Sequence, residues 1–262
     1  DVYKRQSEGS SPTIVNCVIS DCFAPAEGGG LFITGGSVSL EGVKFQGNRG
    51  LQTGGGMSIQ ALSQDALVTK CEFENCNAID SSAVFIEPRG GGIFIKQGDG
   101  APGKYLRISQ TDFLNCSADG TSDQGCCNGS SASPRGGAIC ASASGGGNYN
   151  IEINECSFVG NSSKLVLDDN SNCCGGYHAD GQLQGGTFYF DNTSGSVSIS
   201  DSVVTGSRLY VSSNGTFSST RRTFLSRRRG VAISSFALEL SITNVDISDS
   251  KTQKQGSLSG LE

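Results

Sequence analysis

Residues 151–161, which read Ile-Glu-Ile-Asn-Glu-Cys-Ser-Phe-Val-Gly-Asn, contain the pattern that decides the fold. The apolar side chains of Ile151 and Ile153 alternate with polar ones, a polar residue suited to a bend follows, and the compact Cys156 precedes the aromatic Phe158. An apolar residue at every second position is typical of a strand with one buried face. The segment therefore predicts short strands separated by a bend.

The pattern recurs along the chain in a constant register. We define the residue equivalent to Phe158 as the anchor of its copy, and the anchors are Ile19, Phe45, Phe73, Phe113, Phe158, Val204 and Ile247. The residue five positions before each anchor is always aliphatic: Ile14, Leu40, Val68, Ile108, Ile153, Ile199 and Ile242. Because such self-similarity is the signature of a solenoid, each copy is expected to form one rung of a coil.

A second motif, a glycine pair before a short apolar run, follows the anchors. It reads Gly28-Gly29-Gly30, Gly54-Gly55-Gly56, Gly90-Gly91-Gly92, Gly136-Gly137, Gly185-Gly186 and, in a degenerate copy, Gly230. Glycine supplies the positive φ or the close backbone approach that a sharp corner needs. No helical period recurs between the strands, and antiparallel hairpins do not produce a constant register. We therefore expect an all-β fold, a right-handed parallel β-helix of about seven rungs over residues 7–250.

The spacing between anchors grows along the chain and takes the values 26, 28, 40, 45, 46 and 43 residues. A bare turn of such a coil needs roughly 20–30 residues, so the later rungs must contain insertions. All the added length falls between the third residue after the anchor and the next glycine pair. We expect long loops at one corner of rungs three to six, stacked into a single lateral ridge, which is a common binding face in repeat proteins.

Composition excludes several classes of function. The 38 Gly and 40 Ser make up about 30% of the 262 residues, which suggests a low-complexity chain until the glycines are placed in register as corners. A net charge of −6 and a single His exclude His-rich metal sites, multi-His catalysis and a strongly basic nucleic-acid module. No apolar run approaches the ~18 residues of a membrane span.

The two ends of the chain fall outside the repeat. Residues 1–6 resemble the translated end of a sequencing-library adaptor, and we expect them to be a scar ahead of a fragment. Residues 251–262 are expected to be a polar tail or the start of a further rung.

The repeat cysteines occupy two columns. Cys17, Cys71 and Cys156 stand two residues before an anchor, and Cys22, Cys76 and Cys116 stand three residues after one. Equivalent positions on neighbouring rungs are roughly 4.8 Å apart, so a bridge between Cys76 and Cys116 is geometrically allowed. The alternative is that the column cysteines are buried free thiols that act as small hydrophobes.

The remaining vicinal cysteines lie in insertions of successive rungs. In an oxidising compartment we expect at least one disulfide joining the Cys126-Cys127 pair to the Cys173-Cys174 pair. A zinc site formed by these thiols with His178 is the alternative, which the absence of C-x-x-C spacing disfavours.

The two motifs resemble the repeat of the chlamydial polymorphic membrane proteins. Gly136-Gly137-Ala138-Ile139 matches the first motif of that repeat, and Phe45-Gln46-Gly47-Asn48 and Phe158-Val159-Gly160-Asn161 match its second. The resemblance covers residues ~13–250 and implies a β-helical passenger of a surface protein. The chain departs from the family where Cys22, Cys76 and Cys116 take the place of its preferred Asn.

The last insertion contains a concentration of arginines without acids. Arg208, Arg221, Arg222, Arg227, Arg228 and Arg229 form a candidate basic patch for anionic glycan, phosphate or lipid headgroups, the alternative being a solvated loop. Of the N-glycosylation sequons, Asn128 and Asn214 are the best acceptors if the source is eukaryotic. We expect Asn161 to turn towards the coil and to escape glycosylation.

Catalysis has few candidates. Parallel β-helices also carry polysaccharide lyases and hydrolases, whose chemistry needs clustered carboxylates or a bound calcium. The weak candidates are the adjacent Asp168 and Asp169 and the single His178. We therefore expect an adhesin-like or structural protein, secreted or on a cell surface, with a polysaccharide lyase or hydrolase as the alternative. Glycans or cell-surface and matrix proteins are the expected partners, and no cofactor, metal or nucleic acid is expected.

Overall fold

The computed structural model describes residues 5–80, 85–97, 103–123, 131–143, 149–168, 180–191, 195–214, 224–229, 232–235 and 239–255. Within these ranges the chain forms strands, bends and turns, and it includes no helix of the length and apolarity that crossing a membrane requires. Four sheets have seven parallel strands each, and a fifth has four. Each rung contributes one strand to each larger sheet, so the predicted parallel β-helix of seven rungs is confirmed.

We name the sheets by their place in the rung. The aliphatic sheet consists of Thr13–Val15, Ser39–Glu41, Ala66–Thr69, Lys104–Ser109, Tyr149–Asn154, Ser196–Ser200 and Glu239–Thr243. The anchor sheet consists of Val18–Ser20, Lys44–Gln46, Glu72–Glu74, Asp112–Leu114, Ser157–Val159, Val203–Thr205 and Asp246–Ser248. The exit sheet consists of Phe23–Ala24, Arg49–Gly50, Asn77–Asp80, Ser117–Asp123, Ser162–Asp168, Arg208–Asn214 and Lys251–Gln255.

Two further sheets complete the fold. The glycine sheet, which follows the glycine pairs, consists of Arg5–Glu8, Leu31–Thr34, Met57–Gln60, Ile93–Gln97, Ile139–Ala143, Phe188–Asp191 and Ile233–Ser235. The insertion sheet consists of Phe85–Ile86, Ser131–Ala132, Asp180–Gln184 and Phe224–Arg229.

The pairing register is the one that the repeat predicts. Phe113 pairs with Phe73 on one side and with Phe158 on the other, and the rings of Phe45, Phe73, Phe113 and Phe158 stack at 4.6 to 4.8 Å between centroids. The aliphatic side chains five residues before the anchors pack against this stack in one continuous core. Stacking of the rungs thus buries apolar side chains that a single rung would leave exposed.

Left-handed corners bound every anchor strand. The residues three positions before the anchors are Asn16, Gly42, Lys70, Gln110, Glu155, Asp201 and Asn244, and those two positions after are Asp21, Gly47, Asn75, Asn115, Gly160, Gly206 and Asp249. All have φ between 48° and 67°. The first set was predicted to bend, whereas the second was not. At these corners a backbone N–H donates to the next rung, as Lys70 does to the Ser109 carbonyl at 3.0 Å, which offsets the cost of positive φ.

The insertions are partly strands, which corrects the expectation of loops. The exit strands lengthen from the two residues of Phe23–Ala24 to the seven of Ser117–Asp123, and the chain returns to the glycine pair through the insertion sheet. Neighbouring insertions run parallel one rung apart, so their backbone groups can pair with each other. We name the exit strands of rungs three to six together with the insertion sheet the flange. It stands at one corner of the coil, as predicted.

The coil extends beyond residues 7–250 at both ends. Arg5 and Gln6 belong to the first strand of the glycine sheet and pair with Leu31 and Phe32. Lys251–Gln255 pairs with Arg208–Ser212 as the seventh exit strand. Lys251–Gln255, the part of residues 251–262 that the structure describes, therefore completes the last rung.

Candidate functional site

The column cysteines lie in the wall of the coil, and their thiols are free. Cys71 Sγ donates to the Thr69 carbonyl at 3.3 Å, as the Thr111 hydroxyl in the same column donates to Ser109 at 2.9 Å. No bridge joins Cys76 and Cys116, both of which are fully buried. Burial raises the pKa of the Cys116 thiol well above its ordinary value, so it is a structural donor and not a nucleophile.

Asn161 explains why this column accepts both Asn and Cys. Its Nδ2 donates to the Phe113 carbonyl at 3.0 Å, and its Oδ1 accepts from the Cys116 N–H at 2.9 Å. Cys116 repeats the first contact more weakly, since its Sγ donates to the Phe73 carbonyl at 3.3 Å. Each side chain ties its rung to the preceding one, and the burial of Asn161 agrees with the expectation that it turns towards the coil.

Replacing Asn161 by Ala should lower the free energy of unfolding by about 2–3 kcal/mol, because it leaves a buried N–H and a buried carbonyl without partners. Asn161→Cys should lower the free energy of unfolding by less than Asn161→Ala does, since cysteine already occupies this column in other rungs. Asn154→Ala, on the outer side of the aliphatic sheet, is the control and should lose under about 1 kcal/mol. Urea unfolding followed by circular dichroism measures all three. Equal losses in Asn161→Ala and Asn154→Ala would contradict this assignment.

Several residues singled out from the sequence lie outside the described ranges. They are Cys126, Cys127, Cys173, Cys174, Asp169, His178, Asn128, Arg221 and Arg222. The disulfide between the vicinal pairs and catalysis by His178 therefore stay predictions. Asp168 and Asn214 pair at the ends of neighbouring exit strands, so Asp168 ends a strand and is not in a loop. The arginines are divided: Arg208 begins an exit strand, whereas Arg227, Arg228 and Arg229 end the insertion sheet.

The outer faces of the aliphatic and anchor sheets contain cations that are neutralised by acids. Arg107 forms ion pairs with Asp65 and Glu152, both at 2.8 Å, and its guanidinium lies over the Tyr105 ring at 4.4 Å. Lys44 likewise forms ion pairs with Glu72 and Glu74, both on the neighbouring strand of the anchor sheet. Arg107 and Lys44 therefore offer little unpaired charge to a partner.

The outer face of the exit sheet differs. Ser162, Lys164, Arg208 and Tyr210 line a shallow groove of about 270 Å³, with the Lys164 ammonium 5.6 Å from the centre of the Tyr210 ring. Lys251 pairs in register with Arg208, and no ion pair among the described residues engages either of these two cations. We name these five residues the basic face. Asp119 lies beside Lys164, and burial raises the pKa of that carboxyl.

The glycine sheet has a second, smaller core on its outer side. Ile93 and Ile95 point into the coil, and Phe94 between them points away from it, yet Phe94 packs with Cys140 and Tyr189 in a buried cluster. The guanidinium of Arg135 lies 5.1 Å from the centre of the Tyr189 ring, on the outer side of this cluster. Burial raises the pKa of the Cys140 thiol to about 12, so this cysteine is inert.

A charged groove of about 280 Å³ lies where the flange begins. It is lined by side chains of rungs one to three, namely Glu27, Gln52, Thr53, Asp80, Glu87, Arg89, Phe94 and Lys96. Asp80 and Thr53 are almost completely buried, at 6% and 7% exposure. The groove thus combines buried polar groups and charges of both signs with one aromatic side chain.

Glu87 holds two arginines at the edge of this groove. It forms ion pairs with Arg89 and, at 3.5 Å, with Arg135, whose guanidinium lies 5.1 Å from the centre of the Tyr189 ring. The sequence interpretation missed these residues. The signal that would have found them is the column immediately before the glycine pairs, where Arg89 and Arg135 bridge backbone to backbone.

Neither groove matches a known type of site by itself. The described residues contain no group of three or more His, Cys, Asp or Glu side chains placed to hold a metal ion. No protein-family model, curated protein or solved structure matches the chain. The fold and the two grooves are therefore the basis for inferring function.

Proposed function

We propose that this chain is a β-helical repeat protein of adhesin-like or structural type, secreted or displayed on a cell surface, whose flange contacts anionic glycans. Matrix or cell-surface proteins that carry such glycans would be its partners. The basic face is the observation that supports this proposal. The resemblance of the repeat motifs to those of bacterial surface passengers is consistent with the location.

The basic face suits a glycan because it joins cations to an aromatic ring on an open surface. Sulphate or carboxylate groups would pair with Arg208 and Lys164, and a sugar ring would lie against the Tyr210 ring. Parallel strands one rung apart place Arg208 beside Lys251, at roughly 4.8 Å along the coil axis. An extended polymer laid along the axis would meet both cations.

The double variant Lys164→Ala/Arg208→Ala should bind heparin at least about tenfold more weakly than the original chain, because two charge-assisted contacts are lost. The affinity of the variant should also fall less steeply as salt is added. Surface plasmon resonance on immobilised heparin, repeated at three salt concentrations, measures both effects.

Arg107→Ala is the matched control for this experiment. Arg107 also lies over a tyrosine ring, but two acids neutralise its charge. Its loss should leave heparin binding within about twofold, because its charge is already paired. If Arg107→Ala and the double variant weakened binding equally, general charge and not the basic face would be responsible.

Polysaccharide cleavage is the second candidate function, favoured by the charged groove, which gathers Asp80, Arg89 and Lys96. A lyase would form unsaturated products from polygalacturonate, detectable by their ultraviolet absorbance. Lys96→Ala and His178→Ala should each be compared with the original chain. The absence of product from the original chain would remove this candidate.

A further inference from the structure

The charged groove contains polar groups that the fold itself leaves unused. Thr53 is 7% exposed, and its Oγ1 has no hydrogen-bond partner. Arg89 Nε is likewise buried and without a partner, although the same guanidinium is paired through Nη2 with Glu87. A buried donor without a partner destabilises the fold, so two of them at one groove need a reason.

These two groups are neighbours. Thr53 and Arg89 bridge directly between rungs two and three, which places their side chains about 4.8 Å apart in one column. Glu87 holds the guanidinium by its end and leaves Nε free for another acceptor. Lys96 follows Phe94 by two positions on the same side of its strand and adds an ammonium to the same groove. One part of the groove is therefore built to receive a carboxylate.

Carboxylates also line the groove. Asp80, at 6% exposure, comes from the end of an exit strand, and Glu27 comes from rung one, where its Oε2 accepts from the Gln60 amide. A carboxylate in such a position attracts an ammonium or another strong donor. The groove thus offers both signs of charge at a volume of about 280 Å³, near the small end of the range for ligand sites.

We propose that the charged groove binds a small zwitterion, a free α-amino acid or a dipeptide. The ligand carboxylate is held by Thr53 Oγ1, Arg89 Nε and Lys96, and the ligand ammonium by Asp80 and Glu27. The apolar part of the ligand lies towards Phe94. This site is separate from the basic face and does not depend on glycan binding.

The test uses L-leucine with two ligands that each lack one of its charged groups. One is 4-methylpentanoate, which lacks the ammonium, and the other is 3-methylbutylamine, which lacks the carboxylate. Binding is followed by the side-chain Nε–H signal of Arg89 in two-dimensional NMR of the full chain, assigned with Arg89→Lys. Leucine should shift this signal in a saturable way, and each of the other two ligands should bind at least about tenfold more weakly.

Thr53→Val is the decisive variant, because it removes the hydroxyl and keeps the shape. Since that hydroxyl has no partner in the fold, the free energy of unfolding should stay the same or rise, while leucine binding falls about tenfold. Thr69→Val, on the outer side of the aliphatic sheet, is the matched control and should bind leucine as the original chain does.

Three results would overturn the proposal. The first is a leucine titration that leaves the Arg89 Nε–H signal in place. The second is equal binding of leucine by Thr53→Val and the original chain. The third is D-glucuronate binding as tightly as leucine, which would make the groove a sugar-acid site.

Discussion

Replacing Gly91 by Ala is expected to destabilise the coil by more than about 4 kcal/mol or to prevent folding. The φ of Gly91 is ordinary, so the cause is space and not conformation. A methyl group there would overlap the backbone nitrogen and oxygen of Ser117 and the carbonyl oxygen of Gly137. These atoms belong to backbone that is hydrogen-bonded to neighbouring rungs, since the Ser117 N–H donates to the Cys76 carbonyl and the Gly137 N–H to the Gly186 carbonyl. The backbone cannot move away without breaking such bonds. Expression, circular dichroism and urea unfolding measure the effect.

Gly206→Asn separates this steric effect from a conformational one. Gly206 has φ of 65°, but a Cβ added there would meet its nearest atoms at an ordinary 3.6 Å. Asn75 and Asn115 occupy the equivalent corner of other rungs with φ of 53° and 52°. The free energy of unfolding of the variant should therefore lie within about 1 kcal/mol of that of the original chain. Gly91→Ala unfolding at the same urea concentration as Gly206→Asn would refute the close-approach argument.

Phe113→Ala should lower the free energy of unfolding by about 3–5 kcal/mol. Its ring is fully buried between Phe73 and Phe158, at 4.8 Å from each centroid. Truncation removes both contacts and leaves a cavity whose walls, the backbones of two neighbouring rungs, are held in register and cannot close in. Phe113→Leu should recover a large part of the loss, because it refills much of the volume.

Val159→Ala is the matched control for the phenylalanine stack. Val159 lies on the anchor sheet next to Phe158 but faces outward, with 40% of its surface exposed. Its truncation should cost under about 1 kcal/mol by the same urea titration. Similar losses for Val159→Ala and Phe113→Ala would mean that the stack is not the core of the coil.

The corners show how far residue type predicts backbone. Asn16 and Asp201 adopt positive φ readily, and a polar residue three positions before each anchor indicated a bend. Lys70, Gln110 and Glu155 adopt the same φ without that preference. Pairing with the neighbouring rungs imposes their conformation, and a single-residue propensity contains no information on such pairing.

In the flange, the sequence predicted the position of the insertions but not their secondary structure. The length of the insertions and their place at one corner followed from the spacing of the anchors. That Ser117–Asp123 would continue as a strand paired with Ser162–Asp168 did not, because the Ser, Asp and Gly residues of the first segment have little intrinsic preference for a strand. Each of these segments forms a strand because a neighbour of similar length runs beside it.

The sequence by itself determined the solenoid, its seven rungs, the pairing register and the corner at which the insertions stand. It could do so because every rung repeats the same contacts. Aligning the seven copies of the repeat therefore also shows which residues of neighbouring rungs lie side by side. The tertiary structure alone decided which polar residues share a site. Glu27, Thr53, Asp80, Arg89 and Lys96 come from three different rungs and meet only where the flange begins. Glu27, Thr53 and Arg89 share the column before the glycine pairs, but only the folded coil brings Asp80 and Lys96 to the same groove and shows that polar atoms of Thr53 and Arg89 are left unpaired there.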